Sequence, residues 1–384
     1  MRILHVIPSF VPAYRYGGPV RSVDGLARAQ VAGGDEVTVF STNIDGDGVL
    51  DVPVSRPVER SGVAVHYFGI GVPRRLFRAP EMARALSRQV RDFDVVHVHS
   101  MFLWPTLRAT RQAVADGVPF VLSPRGMLVR ELVERKSWLA KRIWLALFDR
   151  KTVESADAIH LTSRTELEEL RKFGFRLPPV VVIPNGVDLP DEGGALESRS
   201  GSALLYLGRL SWKKGLDRLL AALALMPAVR LSIAGNDDEG ILRGLRRLVE
   251  ELGLQERVRF CGAVDGPEKA ALLAAADLLV LPSLSENFGN VVVEAMASGC
   301  PVVVTSGVGA SDIVIESGAG IVTPGDPAAL ADSMLRLLAD RERLLQMGAA
   351  GARFARAHLS WSRIAERCRS ELYVAAEPGK RDRT

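Results

Sequence analysis

The sequence predicts an α/β protein made of two doubly wound domains, and three observations carry that reading. At 384 residues the chain is about two to three times an ordinary domain, so two cores are expected rather than one. Short β-branched runs alternate with amphipathic stretches from end to end, the pattern of βαβ units and of parallel sheets buried on both faces. That pattern lapses once, at Pro-Asp-Glu-Gly-Gly over 190–194 and a polar run through Ser202, which buries too little apolar surface to order itself and reads as a linker. Domains are therefore expected over 1–190 and 191–360.

In chain order, the first series of expected strands is Arg2–Ile7, Glu36–Ser41, Val63–Phe68, Asp94–His99, Pro119–Ser123, Ala158–Thr162 and Val180–Ile183. Each is a four- to six-residue run rich in apolar, mostly β-branched residues, with helical periodicity filling most of the gaps. The second series is Ala203–Leu207, Arg230–Ala234, Arg257–Cys261, Leu278–Leu281, Pro301–Thr305 and Gly320–Val322. A last helical pattern, roughly Trp361–Ala375, comes after that sheet is finished and precedes a polar tail, Glu377–Thr384.

Composition narrows the classes. With 47% hydrophobic and 24% charged residues, the chain is neither a disordered tail, a collagen nor a coiled coil. Three scattered cysteines, Cys261, Cys300 and Cys368, make no disulfide framework and no CxxC metal knuckle, which fits a reducing, cytoplasmic setting. No apolar run reaches the length of a membrane span, and the start lacks the pattern of a signal peptide. Residues 1–190 hold 26 Lys+Arg against 20 Asp+Glu, and residues 191–384 hold 23 against 25. The first half is the one expected to face an anionic partner; the alternative source of the excess is codon bias, since the cations are nearly all arginine.

The most informative stretch is Ser283–Val303, SLSENFGNVVVEAMASGCPVV, which follows an apolar strand and opens a helix. Loops at the carboxyl ends of strands are where doubly wound sheets bind ligands. Glu286 lies in that loop, Gly289 at the helix start and Glu294 about one turn in. Backbone N–H groups from Asn287, Phe288, Gly289 and Asn290 to Val291 would lack helical partners and suit a sugar hydroxyl or a phosphate. Helical side chains lean toward the N-terminus, so Glu294 could accept from a diol bound there. Against this, Glu286 could be a solvent-facing loop residue and Glu294 could pair with the helix start. A second stretch, Gly208-Arg-Leu-Ser-Trp-Lys-Lys-Gly215, also follows a strand and precedes a helix. Arg209 and Lys214 beside a glycine turn suit a diphosphate, the guanidinium through paired donors and the ammonium as a point charge. Lys213 is expected in solvent.

With these residues in hand the chain resembles the family 4 retaining glycosyltransferases of the GT-B fold. The likeness rests on GRLSWKKG, on Glu286 and Glu294 spaced E-x7-E, and on EAMASGCPVV. It extends to PNGVD at 184–188, the Ala234-Gly235 turn, FCGAV at 260–264 and Gly17-Gly18-Pro19. The resemblance implies two Rossmann-like domains facing each other across a cleft. The C-terminal one would hold a nucleotide-sugar donor, UDP- or GDP-linked, the N-terminal one the acceptor, and helix 361–375 would cross back to the first domain. By motif, Arg209 and Lys214 would neutralise the diphosphate, Glu294 would bind the ribose and Glu286 would sit by the transferred sugar. The stretch Phe260–Gly262, with Cys261 at its centre, would line the base pocket. Gly17 and Gly18 would bring backbone close to the phosphates, where a Cβ would obstruct.

By period two His97 and His99 share one face of their strand, and His99, at its ligand-facing end, is the one expected to reach the crevice. A lone histidine at a strand end commonly has a structural role, yet in the resembling enzymes a histidine at the place of His99 contacts the donor sugar. Arg125, in Ser-Pro-Arg-Gly-Met, stands where many relatives carry histidine and is a candidate acceptor-binding cation. The implied chemistry is transfer with retention through an oxocarbenium-like state, with leaving-group charge stabilised by preorganised donors. The resemblance implies neither metal nor other cofactor, and the sequence agrees, since Asp45-Gly-Asp47 and Asp237-Asp238 read as turn residues. Residues 135–151, RKSWLAKRIWLALFDRK, place Trp138, Trp144 and Phe148 among basic residues at helical spacing. Such a helix suits either an anionic membrane surface or packing on its own domain, and a polyprenyl-diphosphate-linked acceptor would account for the membrane alternative. Nucleic acid is not an expected partner. The resulting expectation is a hexose transferase acting on a glycan or lipid-linked hydroxyl, cytoplasmic or peripheral at the inner membrane face. The alternatives are a degenerate nucleotide-sugar or glycan binder, or a GT-B epimerase. A nicotinamide dehydrogenase lacks support because neither first strand is followed by GxGxxG.

Overall fold

The structure, a computed structural model, describes residues 1–54, 56–135, 138–190 and 202–377. The chain divides into two compact units, 1–186 with 361–384, and 187–360. The sequence boundary at 190/191 thus falls four residues after the break, and most of the expected linker lies outside the described residues.

The first unit is built on an eight-stranded sheet. Its strands are β1 (Arg2–Ser9), β2 (Glu36–Thr42), β3 (Val58–Arg60), β4 (Val63–Phe68), β5 (Val95–His99), β6 (Phe120–Ser123), β7 (Ala158–Leu161) and β8 (Val180–Val182). Their order is β8-β7-β6-β5-β1-β2-β4-β3, all parallel except the edge pair β3/β4. Alternation sorts the side chains. Leu4, Val6, Val96, Val98, Phe120 and Leu122 share one core layer. On the other face Ile3, Val95, Val121 and Ala158 pack with Ile364, Cys368, Leu372 and Tyr373 from the segment that returns after the second unit. Trp361 opens that returning helix, Trp361–Arg367, and sits against two glycines, Gly25 and Gly186. A Cβ on Gly25 would come within 2.2 Å of its ring, and one on Gly186 within 2.4 Å.

The second unit carries a six-stranded parallel sheet. Its strands are β9 (Ala203–Leu207), β10 (Arg230–Ala234), β11 (Val258–Gly262), β12 (Leu278–Leu281), β13 (Val302–Thr305) and β14 (Gly320–Thr323), in the order β11-β10-β9-β12-β13-β14. One device starts strands in both units. Asp94, Asp157 and Asp277 each precede a strand and accept the first free N–H of a neighbour, from Arg2 at 2.7 Å, Phe120 at 2.9 Å and Ala203 at 2.9 Å. The first N–H of each neighbouring strand is thereby satisfied. The short antiparallel edge strand β3 has no counterpart in the sequence reading, because three residues are too few to show a period.

Candidate functional site

In the second unit the sheet order reverses between β9 and β12, so the loops leaving their carboxyl ends open into one crevice. These loops are the two motifs singled out in the sequence. Close backbone approach fixes them. A Cβ on Gly235 would stand 1.8 Å from the Gly208 carbonyl oxygen, and one on Gly215, at φ +65°, 2.2 Å from that of Pro282. The Leu284 N–H donates to the Lys213 carbonyl at 2.8 Å, stitching loop to loop. Glu286 is held by its own backbone: its N–H donates to Gly307 at 2.8 Å and its carbonyl accepts from Gly309 at 2.9 Å. The carboxylate is left to meet the Lys214 ammonium in an ion pair.

Phe288 is buried, its carbonyl accepting from Ala310 at 2.8 Å. Gly289, at φ +90°, starts the helix Asn290–Ala297, a left-handed conformation that favours glycine. One turn in, Glu294 pairs with Lys269 at 2.5 Å. Lys269 lies on the helix Gly266–Ala275 and no motif pointed to it. Cys261 occupies a bulge, since Ile233 pairs with Phe260 but Ala234 with Gly262, and a bulge re-aims its side chain. The Arg246 guanidinium lies 5.9 Å from the Phe260 ring centre.

Burial and like charge act together on the cations of this cluster. Burial pulls the Lys214 ammonium down to about 7, and the Lys213 and Arg209 charges add to the effect. The touching carboxylate of Glu286 opposes them and favours the charged form. Lys213 is half-buried rather than solvated, with burial lowering its pKa as well. Arg209 is exposed. Three cations so close together cost free energy that a diphosphate would recover. Two of the aspartates set aside as turn residues have partners: Asp237 accepts from Ile241 at 2.8 Å and Leu242 at 3.1 Å, and Asp45 lies 3.7 Å from Arg15.

In the first unit the order reverses between β1 and β5. Gly17, at φ +78°, precedes the helix Gly18–Ala32 after the loop from β1, with Pro19 in its first turn. The first N–H groups of that helix have no intrahelical acceptor. After β6, Arg125 takes φ +55° and is 8% exposed. Its Nε and Nη2 donate to His99 Nδ1, both at 3.3 Å, and its Nη1 to Asn185 Oδ1 at 2.9 Å. The buried carboxylate of Glu166 fixes the turn, accepting from Gly126 at 2.7 Å and from the Thr162 N–H at 2.8 Å and hydroxyl at 3.0 Å. His99 departs from the sequence reading. It does not reach into open space but is fully buried, with Nδ1 turned to Arg125 and Nε2 to His5 at 2.9 Å. Arg125, itself buried, occupies its Nδ1.

The helical segment at 138–151 also differs from expectation. Trp138 does not share a face with Trp144 and Phe148. The latter two turn inward, edge to face at 4.8 Å, with Trp144 Nε1 donating to buried Asp149 at 3.1 Å. Burial raises the Asp149 carboxyl to about 6, and its other oxygen accepts from Phe102 N–H at 3.0 Å. The outward face carries Trp138 (49% exposed), Leu139 (57%), Ile143 (51%) and Leu147 (63%). Lys141, Arg142 and Arg150 lie along the same segment. Among the described residues no helix is long and apolar enough to cross a membrane.

Comparison with known proteins adds independent findings. Residues 197–354 match the model "Glycosyl transferases group 1" and residues 16–190 the model "Glycosyltransferase Family 4". The chain is 31% identical over 382 residues to a phosphatidyl-myo-inositol mannosyltransferase of Mycobacterium leprae, covering 95% of each. It is 28% identical to a GDP-mannose:cellobiosyl-diphosphopolyprenol alpha-mannosyltransferase of Xanthomonas campestris, covering 88% of this chain and 87% of that protein. An Anabaena protein crystallised with UDP and glucose superposes with a TM-score of 0.75 at 22% identity, over 97% of this chain and all of that one.

Proposed function

The chain belongs to glycosyltransferase family 4 and has the GT-B fold, and on that premise we propose that it transfers a hexose from a nucleoside-diphosphate sugar to a glycan or lipid-linked hydroxyl, with retention and without a metal. The observation that carries this reading is the Lys214–Glu286 ion pair, with Arg209 beside it, where the loops of β9 and β12 open together. In the ground state the carboxylate holds the ammonium in place. An entering diphosphate takes over the ammonium and the guanidinium, and Glu286 turns to the sugar those phosphates carry. Charge accumulating on the leaving diphosphate then meets cations already in position, each such donor contributing about 3 kcal/mol. Glu294 exchanges Lys269 for the ribose hydroxyls, the helix start at Asn287–Asn290 offers N–H groups to the sugar, and the bulged Cys261 lines the base pocket. In the first unit Gly17 and Gly18 open a helix start whose free N–H groups suit a phosphate. The first unit takes the acceptor, with Arg125 as its cation, while His99 acts through Arg125.

The diphosphate is UDP or GDP. Supporting the two bases, the Anabaena structure holds UDP and the Xanthomonas protein is named for GDP-mannose. An acceptor on a polyprenyl diphosphate fits the basic first half and the exposed Trp138, Leu139, Ile143 and Leu147 face. That face would lie on an anionic membrane at the cytoplasmic side, its aromatic and aliphatic groups in the interface and its basic residues at the headgroups. The proposal is tested by calorimetric titration of the protein, in chelator, with UDP, GDP, ADP and NAD. Binding of one nucleoside diphosphate that is lost in Lys214→Ala supports it, and binding of NAD or of none sinks it. The degenerate-binder alternative is tested by supplying the matching sugar nucleotide and looking for release of the diphosphate.

A further inference from the structure

Six polar side chains on β1, β5, β7, the helix Gly18–Ala32 and the returning C-terminal segment are buried together in the first unit, and none belongs to the donor site. They are His5, Gln30, His97, His99, His160 and Tyr373, each at most 3% exposed. Sheet register assembles them. His5 pairs with His97 across β1/β5, His99 follows two residues on, and Ser123 lies between His99 and His160, whose backbone carbonyl accepts its hydroxyl. All face the layer that the returning segment covers.

Their hydrogen bonds run in one direction. Arg125 has only donors, so His99 Nδ1 accepts and its proton resides on Nε2, which donates to His5 Nδ1 at 2.9 Å. His5 Nε2–H then donates to Gln30 Oε1 at 2.7 Å, and Gln30 Nε2 to the Tyr373 hydroxyl at 2.7 Å. Tyr373 donates to His97 Nδ1 at 3.1 Å, His97 Nε2–H to His160 Nδ1 at 3.3 Å, and His160 Nε2–H to the Ile183 carbonyl at 3.0 Å. The last acceptor is a carbonyl, which can only accept. Both ends therefore demand the same polarity, and every histidine is the neutral Nε2–H form. Burial lowers all four, His5 to about 4 and His160 to about 3, with Arg125 adding to each.

We propose that His5, Gln30 and Tyr373 are positioning residues for Arg125: with His99 they form a one-way relay that keeps the His99 Nδ1 lone pair turned to the guanidinium. Tyr373 is the lock. It holds the amide nitrogen of Gln30 and so presents the amide oxygen to His5. With the lock gone, Gln30 can turn its NH2 to His5, the two histidines reverse, and His99 then points an N–H at Arg125, which has no acceptor to offer. The guanidinium must move. This rests on the reading of Arg125 as the acceptor-facing cation, but the relay can be observed without any acceptor. A metal ion is the rival occupant, since ring nitrogens of His5, His97 and His99 lie within 4.8 Å of one another. Each of those imidazoles, however, has one lone pair, and Arg125, His99 and Tyr373 already donate to them.

The test is long-range 1H–15N spectroscopy of the full-length protein with labelled histidine and arginine at pH 7. Four buried histidines in the neutral Nε2–H form and a protected Arg125 Nε–H are expected. In Tyr373→Phe, His99 should gain Nδ1–H population and the Arg125 Nε–H signal should shift. Its acceptor KM should rise about tenfold while nucleoside diphosphate affinity changes less than about twofold. Gln30→Met should do the same. An imidazolium or Nδ1–H form of His99 or His5 in the wild-type spectrum overturns the proposal, as does stoichiometric zinc binding that shifts these rings. So does an Arg125 signal and acceptor KM that stay put in both variants. The wild-type spectrum decides even where a variant fails to fold. It is also read whether or not turnover is found, so failure of the relay and failure of the transferase reading are seen separately.

Discussion

The two units present opposite electrostatic solutions at corresponding places, the reversal of strand order in each sheet. In the second unit the crevice is lined by ions: Arg209, Lys213 and Lys214 against Glu286, with Glu294 and Lys269 nearby. In the first unit one guanidinium stands on a layer of neutral, buried imidazoles. Mobile ions suit a ligand that arrives charged and leaves more charged. A fixed neutral network suits a ligand that must be oriented. The difference is a contrast between charge supplied and geometry supplied.

Acid should separate the units most. Histidines whose folded pKa lies below the unfolded value of about 6.5 contribute stability present above that pH and lost as pH falls below it, because the unfolded chain binds more protons. The loss is about 1.4 kcal/mol per histidine per pH unit, roughly 5.5 per pH unit for the four, against a typical total of about 5–15 kcal/mol. Thermal melts between pH 7 and 5 should therefore show the first unit's transition falling steeply, while the second, whose one histidine is His358, holds. Transitions that shift in parallel would break the contrast. His160→Gln should flatten the slope by one proton.

Next in size, Lys214→Ala and Glu286→Ala should each lower turnover at least about a hundredfold with far-UV circular dichroism unchanged. Near-normal turnover in either would remove the ions from the mechanism. Donor binding should also weaken above pH 7, approaching about tenfold per unit, because Lys214 must take up a proton to meet the phosphates. Calorimetry in buffers of different ionisation enthalpy would count that proton, and uptake of none would contradict it. Arg125→Lys should raise the acceptor KM about tenfold with donor affinity intact, since an ammonium cannot reach His99 and Asn185 together. The smallest effect belongs to the outward helix face. Lys141→Glu with Arg142→Glu should weaken binding to anionic vesicles by a few fold at low salt and less at high salt. Equal binding at all salt concentrations would make that face purely structural.

The same contrast explains what was legible beforehand. The donor-side residues lie in two contiguous stretches, 208–215 and 283–303, so glycine spacing and strand-to-helix position brought them into view. Lys269 escaped because it reaches Glu294 from a separate helix with no motif of its own. The strands were readable as β-branched runs, with β3 lost for want of length. The relay was not readable at all. A single histidine in an apolar strand looks like any satisfied core residue, and Gln30 and Tyr373 are 343 residues apart. Only sheet register and the returning segment bring such positions together. For the same reason His99 was assigned outward: period two gives the face, not what covers it.

The seating of Trp361 between Gly25 and Gly186 has a consequence for biosynthesis. The first unit needs residues 361–377 to close one face of its sheet, whereas the second is a single uninterrupted stretch. During synthesis from the N-terminus, the later-made unit can therefore complete its core while the earlier one still waits with an uncovered apolar face. The ribosome releases the parts in one order and they mature in the other. A nascent chain stalled before residue 361 should expose that face to chaperones, with its histidines still open to water.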